Sequence, residues 1–189
     1  MLGSLFRTER RAIQATAWGD WAGESSSVTW SGANVSTTNA TQLLTVYGCN
    51  RFICDGIATL PVDTFRKVDE VRVPTPKPRY LEEPAPELDP IAWYTQQISS
   101  LLLAGDDFLF RDYDVDGLRW LPALDPMKVQ IHRVKGRKVF DVEGEQFDSS
   151  RILHVPGVMW AGALRGMSPV EAARQIIGMG MAAQEFGAR

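Results

Sequence analysis

The amino-acid sequence predicts an α+β fold in which helices pack against a mostly antiparallel β-meander. Two segments with apolar residues at helical spacing come first, a long stretch of alternating apolar and polar residues follows, and a third helical segment ends the chain. The 189 residues suffice for one domain with a hydrophobic core and a terminal arm. We predict an arm over residues 1–38 and one α+β domain over residues 39–189.

The first segment, residues 1–38, is rich in Ser, Thr, Gly, Ala and Asn and shows no sustained apolar period. This composition predicts a flexible N-terminal arm. Its tryptophans Trp18, Trp21 and Trp30 either pack onto the body or dock a partner protein. The second alternative describes an adaptor that binds its partner through the arm.

The first helix is predicted to begin at Asn39, a capping residue followed three positions later by Gln42. Apolar residues then recur at helical spacing until Pro61, which ends the helix. Residues 62–68 alternate between apolar and polar side chains, a pattern typical of a strand.

The proline-rich segment 73–90 predicts an extended surface linker that does not enter the core. A second helix follows, with Asp89 as its N-cap, Pro90 at its first position and Gly105 at its end.

After the second helix, the period of the apolar residues changes to two, which predicts a β-meander. Two dipeptides fall where hairpin turns require positive φ, Asp116-Gly117 and Lys135-Gly136.

The last helix is predicted from a capping box, in which Ser168 precedes Pro169 and is followed three positions later by Glu171. We predict that this helix runs to Phe186 and that Ser168 is a cap, not a nucleophile. An apolar helix at the end of the sequence is typical of a fragment of a longer protein.

The net charge of −3 gives no general electrostatic reason for nucleic-acid binding, so any DNA contact must be local. Two cysteines and two histidines, without a Cys-x-x-Cys pair, predict reduced thiols and no metal site or cofactor. No signal peptide or membrane-spanning run is present, which predicts a soluble intracellular protein.

One predicted hairpin carries five positive charges with no acidic residue among them. Three interpretations stay open: a solvated hairpin tip, an intersubunit charge contact, and a non-specific contact with DNA phosphates. The residues are Lys128, Arg133, Lys135, Arg137 and Lys138.

Asp106 and Asp107 directly follow the second helix, and the sequence offers them as candidates for acid–base chemistry. Adjacent strand residues point to opposite faces, which favours a solvated strand entrance over a shared catalytic site. The alternative, a small hydrolase that uses these aspartates with His154, predicts that the three side chains converge in one pocket with shifted pKa values. Neither His132 nor His154 has an obvious carboxylate partner in the sequence, and a packed or solvated imidazole is favoured for both.

Residues 112–117 match the opening of an EF-hand calcium loop, with acids at alternating positions followed by Gly117. Ala123 stands where that loop needs its final glutamate, so a plain Asp-Gly hairpin turn is favoured over calcium binding.

Three segments in order resemble conserved blocks of tailed-bacteriophage portal proteins. The first block is a helix that carries Cys-x-x-x-Ile and ends in Leu-Pro. The second block contains a strand that follows a glycine, a turn with a second glycine, and the motif Leu-x-Pro-Leu-x-Pro. The third block contains an Ile-x-His strand followed by Gly-x-Ser-Pro at a helix start. The sequence departs from the family at Asp106, Asp107 and Phe108, where Asn-Ala-Tyr is usual. The matching residues are Cys49, Ile53, Ala58, Leu60 and Pro61, then Gly105, Gly117, Leu121, Pro122, Leu124 and Pro126, then Ile152, His154, Gly166, Ser168 and Pro169.

This resemblance implies a portal wing-like region whose C-terminal helix leads towards a missing stem, with most of the stem and clip absent. It implies a structural subunit without catalytic residues or cofactors, assembled as a dodecameric ring at one capsid vertex. DNA passes non-specifically through such a ring during packaging and ejection. The implied partners are other copies of the chain, the major capsid protein, the terminase large subunit and head–tail connector proteins. The implied location is the virion, and the host cytoplasm before assembly, with no membrane.

Overall fold

A computed structural model describes residues 29–188, so Trp18 and Trp21 of the predicted arm lie outside the described residues. The helices are α1 (Thr37–Ala40), α2 (Leu44–Ala58), α3 (Arg79–Glu82), α4 (Pro90–Ala104), α5 (Pro169–Ala172) and α6 (Arg174–Gly187). The strands are β1 (Thr64–Val68), β2 (Val71–Thr75), β3 (Asp106–Phe110), β4 (Asp112–Asp114), β5 (Gly117–Trp120), β6 (Ala123–Leu124), β7 (Val129–Val134), β8 (Arg137–Val142), β9 (Glu145–Asp148) and β10 (Ile152–Pro156). The predicted α+β class is confirmed.

Strand β3 is the centre of the fold. It pairs antiparallel with β10 on one side and with β6 on the other. Strands β7, β8 and β9 form a separate antiparallel meander, while β1–β2 and β4–β5 are two-stranded hairpins. The prediction of one continuous meander after Gly105 therefore holds for the β7–β8 hairpin, to which the structure adds β9, whereas β3 pairs with β6 and β10, neither of which adjoins it in the chain.

The two faces of β3 bury different cores, because successive strand side chains point to opposite sides. Leu109 packs with Trp93 of α4 and Leu121. Phe108 packs with Phe140 of β8 and other residues of the meander. Helix α4 and the β7–β8–β9 sheet thus cover opposite faces of the central sheet.

A third core joins the final helices to the beginning of the described chain. Val35, Ala40, Val170 and Ile177 are buried together. Thr29 is buried as well, so the described end of the predicted arm lies against the body. A flexible arm over residues 1–38 stays a prediction.

The predicted start of the first helix is wrong. Ser36 and Asn39 form a reciprocal capping box at the start of the short helix α1, where Asn39 is the third residue and not the cap. The long helix α2 begins only at Leu44, without a side-chain cap. The Ser36 side chain accepts from the Asn39 N–H, and the Asn39 side chain accepts from the Ser36 N–H. Asn39 is therefore not available to cap a helix that begins after it.

The proline-rich segment is not the extended linker that the sequence predicts. It contains the end of β2 and all of α3, and both Pro84 and Ala85 are buried. The Leu121 N–H donates a 2.7 Å hydrogen bond to the Pro84 carbonyl. Apolar residues between the prolines supply this packing, which proline content alone does not reveal.

Local helix and turn signals were more reliable. Asp89 caps α4 by accepting a hydrogen bond from the Ala92 N–H, and Gly105 ends it with φ of 80°. Lys135 and Gly136 both have positive φ in the β7–β8 turn, and Gly117 has positive φ in the β4–β5 turn. The last helix starts at the predicted Ser168 cap but is divided at Ala173 into α5 and α6.

Among residues 29–188, each helix is too short or too polar to span a membrane.

Candidate functional site

Asp106, at the start of β3, is completely buried and lies at the centre of a polar cluster. One of its carboxylate oxygens accepts hydrogen bonds from His154 Nε2 at 2.8 Å and from the Gly166 N–H at 2.7 Å. The other oxygen accepts from Arg165 Nε at 2.9 Å. Three groups from β10 and from the segment before α5 therefore converge on one side chain of β3.

His154 is held in one orientation by both of its ring nitrogens. Lys138 Nζ lies 3.2 Å from Nδ1, and because an ammonium group only donates, Nδ1 accepts and Nε2 carries the proton. The ring then donates to Asp106 through Nε2. It also stacks on Phe108, with ring centroids 4.7 Å apart. The prediction of a packed histidine is confirmed, with Asp106 as its carboxylate partner.

Arg165 connects the cluster to the start of the meander. Its two terminal nitrogens donate to the Val129 carbonyl at 2.8 Å and to the Pro126 carbonyl at 2.9 Å. The guanidinium group thus makes three hydrogen bonds, one of which is its ion pair with Asp106. Two of its five N–H donors remain for any other partner.

Burial alone would raise the pKa of Asp106. Hydrogen bonds from His154 and Gly166, together with the charge and hydrogen bond of Arg165, outweigh burial and hold that pKa below its usual value. Asp106 is therefore ionised and paired with a cation in the folded protein.

Close backbone approach completes the arrangement. The Gly105 carbonyl accepts a 2.8 Å hydrogen bond from the Gly157 N–H, and a Cβ atom on Gly166 would collide with the same carbonyl oxygen. We call this region the Asp106 junction, and it consists of Gly105, Asp106, Lys138, His154, Gly157, Arg165 and Gly166.

The junction sets the start of the final helices. Ser168 Oγ donates to the Leu103 carbonyl of α4 at 2.6 Å and accepts from the Glu171 N–H. Ser168 is thus a helix cap, as predicted, and it also ties α5 to the end of α4. The polar groups of this region bind other parts of the chain, so the region stabilises the packing of its elements.

The prediction of a solvated strand entrance at the two aspartates is wrong, because both side chains are buried. Asp107 points to the face opposite Asp106, and neither of its carboxylate oxygens has a hydrogen-bond partner among the described residues. Burial raises the pKa of Asp107 to about 6.

The hydrolase hypothesis is not supported. Asp106 and His154 do meet, but their side chains are 0% and 5% exposed, so the pair is closed to a substrate. Asp107 lies on the other face of the strand and does not join them.

Sequence reasoning missed the roles of Arg165 and Lys138 in the junction. Arg165 lies 59 residues from Asp106, and no spacing rule connects positions so far apart. The one available signal was Asp106 itself, at the start of a predicted strand. An acid that becomes buried at such a position needs a cation or several hydrogen-bond donors.

Two cations of the basic hairpin bind other groups of the chain. Lys128 forms a 2.7 Å ion pair with Glu143 across the strands. Lys138 turns inward to His154 and the Leu164 carbonyl. The other three members, Arg133, Lys135 and Arg137, are exposed, and we call them the basic tip.

The calcium-like sequence forms the β4–β5 hairpin, and the Asp114 carboxylate accepts a 2.9 Å hydrogen bond from the Asp116 N–H. The predicted Asp-Gly turn is confirmed. Over residues 29–188, no three His, Cys, Asp or Glu side chains are grouped as metal ligands would be.

Two comparisons of the sequence with known proteins give matches. The model of the phage portal protein family matches residues 44–189. A probable portal protein of Streptomyces phage phiC31 is 34% identical over 176 residues, which cover 84% of this chain and 38% of that protein.

Two solved structures share the fold. An HK97-family phage portal protein from Corynebacterium diphtheriae has a TM-score of 0.62 at 15% identity, covering 80% of this chain and 48% of that one. A chain in the neck of a native gene transfer agent particle, computed with C12 symmetry, has a TM-score of 0.58 at 17% identity, covering 81% and 45%. The chain therefore spans less than half the length of each of these relatives.

Proposed function

The chain belongs to the phage portal protein family, and from this premise we propose that it is a structural subunit of the portal ring at one capsid vertex. The observation that carries this proposal is the family match over residues 44–189. The ring provides the channel through which DNA enters during packaging and leaves during ejection. The chain itself makes and breaks no covalent bond.

The Asp106 junction supports a mechanical function. Its hydrogen bonds fix the segment before α5 to β3, to the meander and to the end of α4. A ring subunit under load from moving DNA benefits from helices that keep their orientation. Residues 39–189 form a wing-type domain in this proposal, and residues 1–38 form an N-terminal arm.

The proposed partners follow from the position of a portal. They are further copies of the chain in a dodecameric ring, the major capsid protein, the terminase large subunit and head–tail connector proteins. The location is the portal vertex of the virion, and the host cytoplasm before assembly.

Double-stranded DNA is a passing, non-specific partner in this proposal. The net charge of −3 supports a weak contact, because a strongly cationic channel would hold phosphates and slow their movement. The basic tip is the proposed place for a DNA contact or an intersubunit charge contact. Lys128 and Lys138 belong to the same hairpin. Lys128 pairs with Glu143, and Lys138 turns inward to His154.

Light scattering tests the proposed assembly. We expect the longer protein that contains this chain to have the mass of a closed ring at low and moderate salt. A monomeric mass in both conditions would contradict the proposal.

A further inference from the structure

Helix α2 carries two apolar stripes, and only one of them is buried. Cys54 and Ala58 are buried where α2 packs along α4. The members of the second stripe recur every three or four residues, so they share one face of the helix and of the turn that follows it. We call this stripe the outer face of α2. It consists of Cys49, Phe52, Ile53, Gly56, Ile57 and Leu60.

The outer face of α2 is open along its length. Phe52 is 81% exposed, Leu60 is 60% exposed and Ile57 is 50% exposed. No other part of the described chain lies within 4 Å of a Cβ atom added at Gly56. Because covering exposed apolar surface is favourable, we expect another surface to bind here.

The outer face continues into an apolar depression between α2, α4 and the final helices. A cavity of about 250 Å³, lined by Cys49 and Ile53, adjoins a cavity of about 540 Å³. The two cavities share Leu102 of α4 and Pro169 of α5 in their linings. Ile176 of α6, which is 70% exposed, lines the larger cavity. The outer face and the depression therefore form one continuous apolar surface.

This surface is large enough for a stable interface between proteins. At up to about 200 Å² for each fully exposed large side chain, it presents roughly 600 Å² of apolar area. The largest apolar patch of a typical monomer is about 300–600 Å², and each partner in a standard interface buries about 800 Å². Apolar area alone thus supplies most of one side of a standard interface.

The absence of charge indicates the kind of partner. None of the six residues of the outer face, and no described residue that lines the two cavities, is charged. Arg51 and Asp55 lie on another side of α2 and pair with each other at 3.2 Å. Permanent interfaces between copies of one chain are apolar and lack charged residues at their centre, whereas transient partners bind through more polar surfaces. A second copy of the chain fits this surface best.

We propose that the outer face of α2 and the adjoining depression bind a second copy of this chain, the next subunit of the ring. The inference rests on the proposed function, and it adds which surface joins neighbouring subunits. Contacts in a closed ring are heterologous, so the outer face meets a different surface of the neighbour. Phe52, the largest and most exposed side chain of the outer face, is the anchor of this contact.

Two matched substitutions in the longer protein that contains this chain test the anchor. Phe52→Ser should raise the concentration needed for half-assembly at least about tenfold, as measured by light scattering. Leu44→Ser is the control, because Leu44 is 80% exposed on the same helix but lies on the side that carries Arg51 and Asp55. It should assemble like the wild type, and circular dichroism should show that both variants are folded.

Cys49 provides a second measurement, which needs no substitution. We expect N-ethylmaleimide to modify Cys49 at least about tenfold more slowly in assembled rings than in subunits dissociated by dilution. Peptide mass spectrometry reads the rate at each cysteine. Buried Cys54 is the internal control and should react slowly in both states.

The outcomes separate this inference from the proposed function. Wild-type rings with equal assembly of the Phe52→Ser and Leu44→Ser variants would overturn the inference and leave the proposed function intact. Slow modification of Cys49 in dissociated subunits as well would overturn it too, because another part of the same longer chain would then cover the outer face. A wild-type protein that stays monomeric would contradict the proposed function and the inference together. If Phe52→Ser fails to fold, the Cys49 rates decide.

Discussion

Asp106 and Asp107 are neighbours in β3, yet their surroundings shift their pKa values in opposite directions. Asp106 has a lowered pKa, so its contribution to stability is present above the unfolded pKa and is lost as the pH falls through the folded pKa. Asp107 has a raised pKa of about 6 against 3.8 for the free group. The contribution of protonated Asp107 to the free energy of unfolding is fully present below pH 3.8 and is lost as the pH rises through about 6.

Asp107→Asn should therefore stabilise the protein at neutral pH. The charged carboxylate is buried without a partner, and removing its charge should add up to about 3 kcal/mol to the free energy of unfolding at pH 7.5. Urea unfolding at pH 7.5 and pH 4 measures the effect, which should almost vanish at pH 4. A variant that is less stable than the wild type at pH 7.5 would show that the carboxylate has a partner.

Arg165→Ala should have the opposite effect. It leaves the Asp106 charge buried without its cation, and the free energy of unfolding should fall by about 3–5 kcal/mol. Arg66→Ala in the exposed β1–β2 hairpin is a suitable control and should change stability by less than about 0.5 kcal/mol. Equal effects of the two substitutions would mean that the Asp106 junction does not fasten the final helices.

At the scale of elements, a glycine in the Asp106 junction can be compared with a glycine on the open surface of a helix. Gly166→Ala should destabilise the protein by about 1–3 kcal/mol, because the new Cβ meets the Gly105 carbonyl. Gly48→Ala in α2 meets open space and should stabilise it by about 0.5–1 kcal/mol. Thermal unfolding of both variants tests the close approach, and a tolerated Gly166→Ala would refute it.

The basic tip of the β7–β8 hairpin is expected to contact phosphates. Replacing its three cations with alanine should weaken DNA binding and lower the slope of log affinity against log salt by about 2–3. Fluorescence anisotropy with a DNA duplex over a salt series measures both quantities. The substituted residues are Arg133, Lys135 and Arg137.

A matched variant removes three cations from the β1–β2 hairpin and should leave the slope closer to that of the wild type. Loss of assembly with unchanged DNA affinity would instead assign the basic tip to an intersubunit contact. No change in either property would reject both interpretations. The control residues are Arg66, Lys67 and Arg72.

Elements with local signals were predictable from the sequence. Helix α4 carries its cap at Asp89 and its stop at Gly105, and the β7–β8 turn needs positive φ at Lys135 and Gly136. Strand β9 was missed because its residues are mostly polar and exposed. The pairing of β3 with β10 was also missed, because register between distant strands depends on tertiary packing and not on spacing.

For the whole molecule, family resemblance and fold class were available from the sequence, whereas the Asp106 junction was not. His154 and Gly166 appear in one resembling block, but their common partner Asp106 is 48 and 60 residues away. The apolar depression between α2, α4 and the final helices was equally hidden, since it forms only when these helices pack together. Local patterns identify elements, and the contacts between elements require the folded chain.

The central claim is that this chain is part of a ring-forming portal subunit. The most direct measurement is negative-stain electron microscopy of the longer purified protein that contains it. The account predicts rings with a central channel in both low and moderate salt. Uniform small particles without a channel in both conditions would contradict it.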